Sequence, residues 1–475
     1  MPEATPLEAR YQECRRRFRE VGQEHVLHFW KELDAARRAE LLEDLARIDL
    51  AQLPAQARLA VTDQPPNLDL SRLSPVKVIR REQAGPEALA RGRLLLAAGK
   101  VAAFTVAGGQ GTRLGFDGPK GAFCISPVRN KPLFQLFAES VLATSRRYGR
   151  EIPWYIMTSP ANDAATREFF DRHRHFGLDP RSVTFFQQGV MPAFDRQGKI
   201  LLDQKHRVAL SPNGHGGSLL ALAQTGMLAD LRQRGIDYIS YFQVDNPLVY
   251  ALDPVFIGLH DLRRSEMSSK SLPKADDLER VGNFVMLDGR LMVIEYSDMP
   301  ETLARAHNPD GSRKYDAGSI AIHILSRDFV ERLTADPAAF ALPWHRAVKK
   351  VPYVDLATGQ RIEPAEPNAV KLESFVFDAL PLAENPIVVE TSRAEEFSPV
   401  KNATGVDSVE TTRRDLVRRA ARWLESVGFR VPRRDDGEPD ALLEISPLLA
   451  LDAHQLAERR LKPDTIARGE KRYFE

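Results

Sequence analysis

Residues 107–115 read Ala-Gly-Gly-Gln-Gly-Thr-Arg-Leu-Gly, directly after the apolar run Val101–Val106, and Pro119-Lys120 follows close behind. Glycines let a backbone approach a ligand closely. Successive N–H groups in such a loop can point together at anionic oxygens or a base edge. Arg113 adds a planar cationic fork and Lys120 a second charge. The carboxyl end of a buried strand is where open α/β sheets take their ligands. A P-loop would carry Gly-Lys-Ser/Thr after four spacers, and a dinucleotide fingerprint would need a glycine where Leu114 stands, so neither scheme fits. The loop is expected to hold a polyphosphate in another way; a tight structural turn is the plain alternative.

One reaction calls for this set of residues. When a sugar 1-phosphate attacks the α-phosphorus of a nucleoside triphosphate, the nucleophile is already anionic and needs no general base. The difficulty is bringing two polyanions together and stabilising charge on the departing pyrophosphate. Positioning, positive charge and a divalent metal therefore carry the catalysis. Asp245 ends the apolar run Tyr238–Val244 and is the candidate ligand for Mg²⁺, with Mn²⁺ as a substitute; a turn or helix cap is its plainer reading. Lys371 and Lys401, taken alone, read as solvated lysines.

The elements that would position these groups follow from periodicity. Residues 7–53 read as helices, with Leu27, Trp30 and Leu33 on one face, Leu41, Leu42, Leu45 and Ile48 on another, and Asp34 as an N-cap. Arg15, Arg16, Arg17 and Arg19 read as a solvated face. Residues 54–78, with Pro54, Pro65, Pro66 and Pro75, read as an irregular connection. Beyond residue 86, apolar runs at 101–106, 154–158, 183–187, 238–244, 283–287 and 291–296 alternate with helical patterns near 132–147, 161–176 and 217–234. That alternation predicts an α/β fold with a mixed, mostly parallel, Rossmann-like sheet. A further strand is expected at 386–390, a charged helix at 408–428 and an apolar piece at Leu442–Leu451. The expected organisation is a helical N-terminal region (1–95), a catalytic domain (96–385) and a small C-terminal region (386–475).

Composition sets the class. The 475 residues are 43% hydrophobic and 28% charged, and 66 Lys and Arg nearly cancel 65 Asp and Glu. A net charge of +1 argues against broad nucleic-acid or membrane-surface binding. No apolar run is long enough for a membrane span, and the first residues lack a signal-peptide core. Two cysteines, Cys14 and Cys124, make neither a disulfide framework nor a zinc pattern, and the cytoplasm is the expected compartment. Cys124 reads as a small packed residue rather than a redox switch. The sequence carries no signal for an oligomeric state.

Taken together, the glycine loop, Phe185-Phe-Gln-Gln-Gly189, Ser211-Pro-Asn-Gly-His-Gly-Gly217, Val244-Asp-Asn246, Glu295-Tyr-Ser297, Asp316-Ala-Gly318, Phe375-Val-Phe377 and Glu396-Phe-Ser-Pro399 resemble the eukaryotic-type UDP-sugar pyrophosphorylases. They resemble the UDP-N-acetylglucosamine branch most. The resemblance runs from about Gly22 to Leu461. It implies a nucleotide-diphospho-sugar transferase fold and condensation of UTP with a sugar 1-phosphate, N-acetylglucosamine 1-phosphate first among them. By motif match, Ala107, Gly108, Gly109 and Gln188 would meet uracil, with Gly214 near the nucleoside. Arg113, Lys120 and Lys401 would serve phosphates, and Asp245 the metal and ribose. Gly282, Glu295, Lys371, Phe375 and Phe377 would line the sugar. Two positions depart from the branch. His215 replaces an Asn, as in the UDP-glucose branch, and reads as a neutral or charged donor to phosphate or ribose, or as a turn residue. Ser319 replaces a sugar-contacting Asn, and a hydroxyl cannot reproduce an amide's paired donor and acceptor. A glucose 1-phosphate or broad-range enzyme is therefore the rival reading. A glycosyltransferase lacks its Asp-x-Asp motif here, and a noncatalytic sensor would not need Arg113, Lys120 and Asp245 together.

Overall fold

The computed structural model describes residues 6–62, 69–336, 340 and 342–475. They divide into two compact units, each discontinuous in sequence. One comprises residues 69–187, 222–333 and 380–475; the other comprises 1–68, 188–221 and 334–379.

The larger unit is organised by an eleven-stranded sheet among its described residues. In chain order the strands are β1 (Leu73–Pro75), β2 (Val78–Arg80), β3 (Val101–Val106), β4 (Trp154–Thr158), β5 (Val183–Gln187) and β6 (Tyr238–Gln243). There follow β7 (Met267–Pro273), β8 (Gly282–Leu287), β9 (Arg290–Ile294), β10 (Ala317–Ser326) and β11 (Ile387–Glu390). The central order is β2-β11-β7-β10-β6-β3-β4-β5, with the β8–β9 hairpin joined to β10. β6, β3, β4 and β5 run parallel, and β10 lies antiparallel to both β6 and β7. The sheet is thus mixed, as expected.

The apolar runs become strands because both faces of the sheet are covered. Val101 to Phe104 and Trp154 to Met157 are nearly devoid of solvent contact, as near-continuous hydrophobic parallel strands should be. The helices Gly85–Ala97 and Pro254–Leu262 touch through backbone. A Cβ on Gly92 would lie 1.7 Å from the Pro254 carbonyl oxygen, and one on Gly258 1.8 Å from that of Ala88. Strand β7 was not visible as an apolar run, since it reads Met-Ser-Ser-Lys-Ser-Leu-Pro. The buried polar groups at positions 268–270 are met from both sides: Ser268 by His260, Ser269 by His323, and Lys270 by Glu396 and Asp253. Such pairing is what allows polar side chains into a core.

The smaller unit packs the helices Pro6–Glu20, Ala35–Ala46 and Leu53–Val61 around a three-stranded sheet of His345–Lys349, Ala369–Glu373 and Phe194–Asp195. Trp30, Leu41, Leu45, Phe194, Val370 and Leu372 share one core. Asp34 caps its helix, its carboxylate accepting the Arg37 N–H at 2.9 Å. Arg15, Arg16 and Arg19 pair with Glu13, Glu20 and Glu24.

Some expected boundaries change. Leu27, Trp30 and Leu33 are buried, but on short 3₁₀ turns and their flank rather than a continuous helix. Pro54 sits in the first turn of a helix, where its missing N–H costs nothing, so the irregular connection starts later than expected, and Pro75 ends the short strand β1, so it also stops earlier; Pro65 and Pro66 lie outside the described residues. The helix expected at 161–176 ends at Arg172, because His175 and Phe176 take left-handed backbone angles. The helix expected at 217–234 is two, Gly217–Gln224 and Met227–Gln233, broken at Gly226 with φ of 80°. Leu442–Leu451 contributes to a parallel pair, Ala441–Ile445 with Glu470–Phe474.

Candidate functional site

The glycine loop leaves β3 at its carboxyl end and closes on itself. The Gly111 N–H donates to the Gly118 carbonyl at 2.9 Å, and the Lys120 N–H to that of Gly109 at 3.1 Å. Lys120 is thereby folded back beside Gly109. Two side chains absent from the sequence expectations shape the loop. Asn162 donates from Nδ2 to the carbonyls of Ala107 at 2.8 Å and Gly109 at 3.2 Å, and Ser159 donates to that of Gly108 at 2.9 Å. With those carbonyls held, the N–H groups of Gly108, Gly109 and Gln110 have no acceptor among the described residues. Such a row of N–H groups suits an anion or a base edge. Asn162 stands at the N-cap position of the helix Asp163–Arg172 but makes no side-chain capping bond there.

Four charged side chains gather at this loop. The Lys120 ammonium lies 4.0 Å from an Asp245 carboxylate oxygen, both nearly buried. Burial pushes the Lys120 pKa below the ordinary lysine range; Asp245 opposes that shift, while the nearby charges of Arg113 and Lys401 add to it. Arg113 is exposed and makes no ion pair among the described residues. Its carbonyl accepts the Ala403 N–H at 3.1 Å, which brings the Lys401 segment to the loop. Lys401 rests 3.4 Å from Asp407. The Asp245 carbonyl accepts the Val400 N–H at 2.8 Å, whereas its carboxylate accepts no hydrogen bond from the described residues. That carboxylate is the kind of oxygen ligand that a hard cation takes. No group of three or more His, Cys, Asp or Glu among the described residues forms a protein-only cage.

Elsewhere in the same sheet, Gly282 pairs with Ser319 across β8 and β10. A Cβ on Gly282 would lie 3.4 Å from an Oε of Glu295 and 3.7 Å from the Ser319 Cβ, so these three positions adjoin.

The remaining expected residues lie in the smaller unit. Gly214, with φ of 84°, lies against Ser374, whose carbonyl oxygen would sit 2.4 Å from an added Cβ. The Gly216 N–H donates to that carbonyl at 2.8 Å, and the Ser374 N–H to that of Asn213 at 3.0 Å. This pairing brings His215 onto Phe375, with ring centroids 5.1 Å apart and planes 28° from parallel; Phe377 meets it edge-on at 5.8 Å. His345 packs on Phe375 with ring centroids 4.4 Å apart and planes tilted by 34°, and it binds Asp378 at 2.9 Å, extending the aromatic cluster by a residue the sequence did not single out.

His215 Nδ1 accepts the Val376 N–H at 3.1 Å, so the ring proton is on Nε2. Burial, reinforced by His345, lowers its pKa to about 4. The charged alternative is therefore corrected: at neutral pH this is an uncharged imidazole offering one donor. Burial also lowers the pKa of Lys371, on the strand Ala369–Glu373, with Glu373 opposing. Gln188 is buried at the start of residues 188–221.

Cys14 and Cys124 are both free thiols of intermediate exposure, each with its pKa raised by burial. No helix among the described residues is long and apolar enough to cross a membrane.

Known proteins resemble this chain in sequence and fold. A family model described as UTP–glucose-1-phosphate uridylyltransferase matches residues 59–421. The human UDP-N-acetylhexosamine pyrophosphorylase-like protein 1 is 38% identical, over 94% of this chain and 94% of that protein. The UDP-N-acetylglucosamine pyrophosphorylase of Saccharomyces cerevisiae is 36% identical, over 93% and 95%. A crystal structure of a putative UDP-N-acetylglucosamine pyrophosphorylase from Entamoeba histolytica superposes with a TM-score of 0.75 at 34% identity, covering 85% of this chain and all of that one. The Trypanosoma brucei uridine diphosphate N-acetylglucosamine pyrophosphorylase, solved with an inhibitor, gives a TM-score of 0.80 at 26% identity, over 97% and 98%. With a family model spanning most of its length and relatives aligned nearly end to end, the chain belongs to the UTP–glucose-1-phosphate uridylyltransferase family.

Proposed function

We propose that the protein transfers the uridylyl group of UTP to a sugar 1-phosphate, N-acetylglucosamine 1-phosphate foremost, with release of pyrophosphate. The observation that carries this is the convergence of Lys120, Arg113 and Lys401 on Asp245 beside a loop with unpaired N–H groups. The names of the relatives support the choice of sugar.

A phosphate oxygen of the sugar 1-phosphate attacks the α-phosphorus, and the bond to the bridging oxygen of pyrophosphate breaks. Lys120, Arg113 and Lys401 bind the phosphates and offset the charge that gathers on the leaving group. Asp245 would hold Mg²⁺ or Mn²⁺, and a cation there would supply further neutralisation of the phosphates. Ala107, Gly108, Gly109 and Gln188 would read uracil, and a buried amide such as Gln188 rejects bases that leave it unpaired. Gly282, Glu295, Ser319, Lys371, Phe375 and Phe377 would border the sugar. The two unpaired thiols support a cytoplasmic setting.

A broad-range or glucose 1-phosphate enzyme is the second reading, and His215 favours it. With Nδ1 occupied, the ring offers a single donor where an Asn would offer a donor and an acceptor. Pyrophosphate release from UTP and Mg²⁺ should be measured with each sugar phosphate, and with ATP or GTP in place of UTP. The proposal expects release with UTP alone among the nucleotides, fastest with N-acetylglucosamine 1-phosphate. Silence across the whole panel would sink it, and faster turnover of glucose 1-phosphate would hand it to the second reading.

A further inference from the structure

In the larger unit, two stretches of chain lie side by side next to the charged cluster. Residues 245–250 follow β6, and residues 395–401 form a strap that ends on Lys401. The Asn246 side chain, 4% exposed, joins the two. Its Nδ2 donates to the Glu396 carbonyl at 2.7 Å, and its Oδ1 accepts the Ser398 N–H at 3.1 Å. The Val400 N–H then donates to the Asp245 carbonyl at 2.8 Å. The amide thus occupies the place of a neighbouring backbone peptide, giving one donor and taking one acceptor along the strap.

Other groups hold the same junction from outside. One guanidinium nitrogen of Arg419 donates to the carbonyls of Leu248 at 2.8 Å and Glu395 at 3.0 Å, one in each stretch. The buried Lys270 binds both carboxylate oxygens of Glu396, at 2.7 and 2.6 Å, and Asp253 at 2.9 Å. A local turn accounts for only part of the Asn246 geometry. The Leu248 N–H is 3.4 Å from Oδ1, longer than either bond to the strap, and a turn has no use for the donor aimed at Glu396.

We propose that Asn246 is a positioning residue that sets Lys401 in register with Asp245, its carboxamide splinting the strap to the turn after β6. The inference rests on the reading of Lys401 as a phosphate-binding group. A carboxylate at position 246 would have no donor for Glu396, and a methyl group would release both bonds. Lys401 would then sample several positions, which lowers the fraction of bound substrate held for reaction.

A double-mutant cycle on pyrophosphate release tests this, with folding followed by thermal melting. Lys401→Ala is expected to lower kcat about 100-fold. Asn246→Ala should lower it about 30-fold with the KM for UTP within about 3-fold of wild type. In the double variant the losses should not multiply; kcat should stay within about 3-fold of Lys401→Ala alone, because both changes act through one ammonium. Should Asn246→Ala fail to fold, the isosteric Asn246→Asp replaces it in the cycle, with the same expectation. Wild-type turnover in the Asn246 variant, or losses that multiply fully, would overturn the inference while leaving Lys401 in place. Wild-type turnover in Lys401→Ala would overturn the phosphate reading itself, and the inference with it.

Discussion

The cluster around Lys120 and the stack around His215 are both shaped by backbone hydrogen bonds, yet they present opposite chemistry. The first gathers three cations and a carboxylate at the carboxyl ends of β3 and β6, and burial makes the Lys120 charge more costly to keep. The second packs an imidazole against two phenylalanines and keeps it neutral. Charge suits a step in which polyanions meet, and a flat, uncharged stack with one donor suits discrimination between sugars. The reaction type should therefore depend on the first region and the choice of substrate on the second.

Removing charge from the cluster should have the largest effect. Lys120→Ala is expected to lower kcat by about 10² to 10³-fold with the fold retained, read by pyrophosphate release and circular dichroism. Turnover near wild type would break the division of roles at its strongest point.

The Lys120 titration sharpens the same side. Its pKa is lowered, so the proton is lost, and kcat/KM for UTP should fall, below the pH at which an ordinary lysine deprotonates. The fall should approach about tenfold per pH unit, since kcat/KM reports the free enzyme. Lys120→Arg should move the alkaline limb upward. An unmoved limb would assign the titration to another group.

The stack should respond in preference rather than in chemistry. His215→Asn, which restores a paired donor and acceptor, should change the ratio of kcat/KM for N-acetylglucosamine 1-phosphate over glucose 1-phosphate by about tenfold, in favour of the former. An unchanged ratio would remove His215 from sugar choice.

The smallest effect concerns stability. The His215 pKa is depressed from the ordinary histidine value to about 4. Between those values the unfolded chain binds a proton that the folded chain does not, so stability falls as pH drops through this window and is unaffected above it. Chemical denaturation should show that wild type loses about 1 to 3 kcal/mol more than His215→Gln between pH 6.5 and 4. Equal losses would mean that the ring is less enclosed than its packing indicates.

The two regions also differ in how far they could be read beforehand. The glycine loop, Arg113, Lys120 and Asp245 lie at strand ends, where apolar runs predict both the strand and the turn that follows. Strands β3 to β6 appear where those runs lie. Strand β7 escaped because its polar side chains are paired by residues remote in sequence, such as Glu396 with Lys270. Asn162 and Asn246 escaped for a related reason. Each resembles a local cap or turn until the carbonyls it reaches are known.

By itself the sequence determined the alternating α/β pattern, the glycine loop after β3 and the family, because each depends on residue type and short-range spacing. Only the tertiary structure decided that residues 188–221 and 334–379 fold with the first 68, that His215 is neutral with its proton on Nε2, and that Asn246 bridges to the Lys401 strap. Those outcomes depend on burial and on hydrogen-bond partners more than a hundred residues apart, and local propensity carries no record of either.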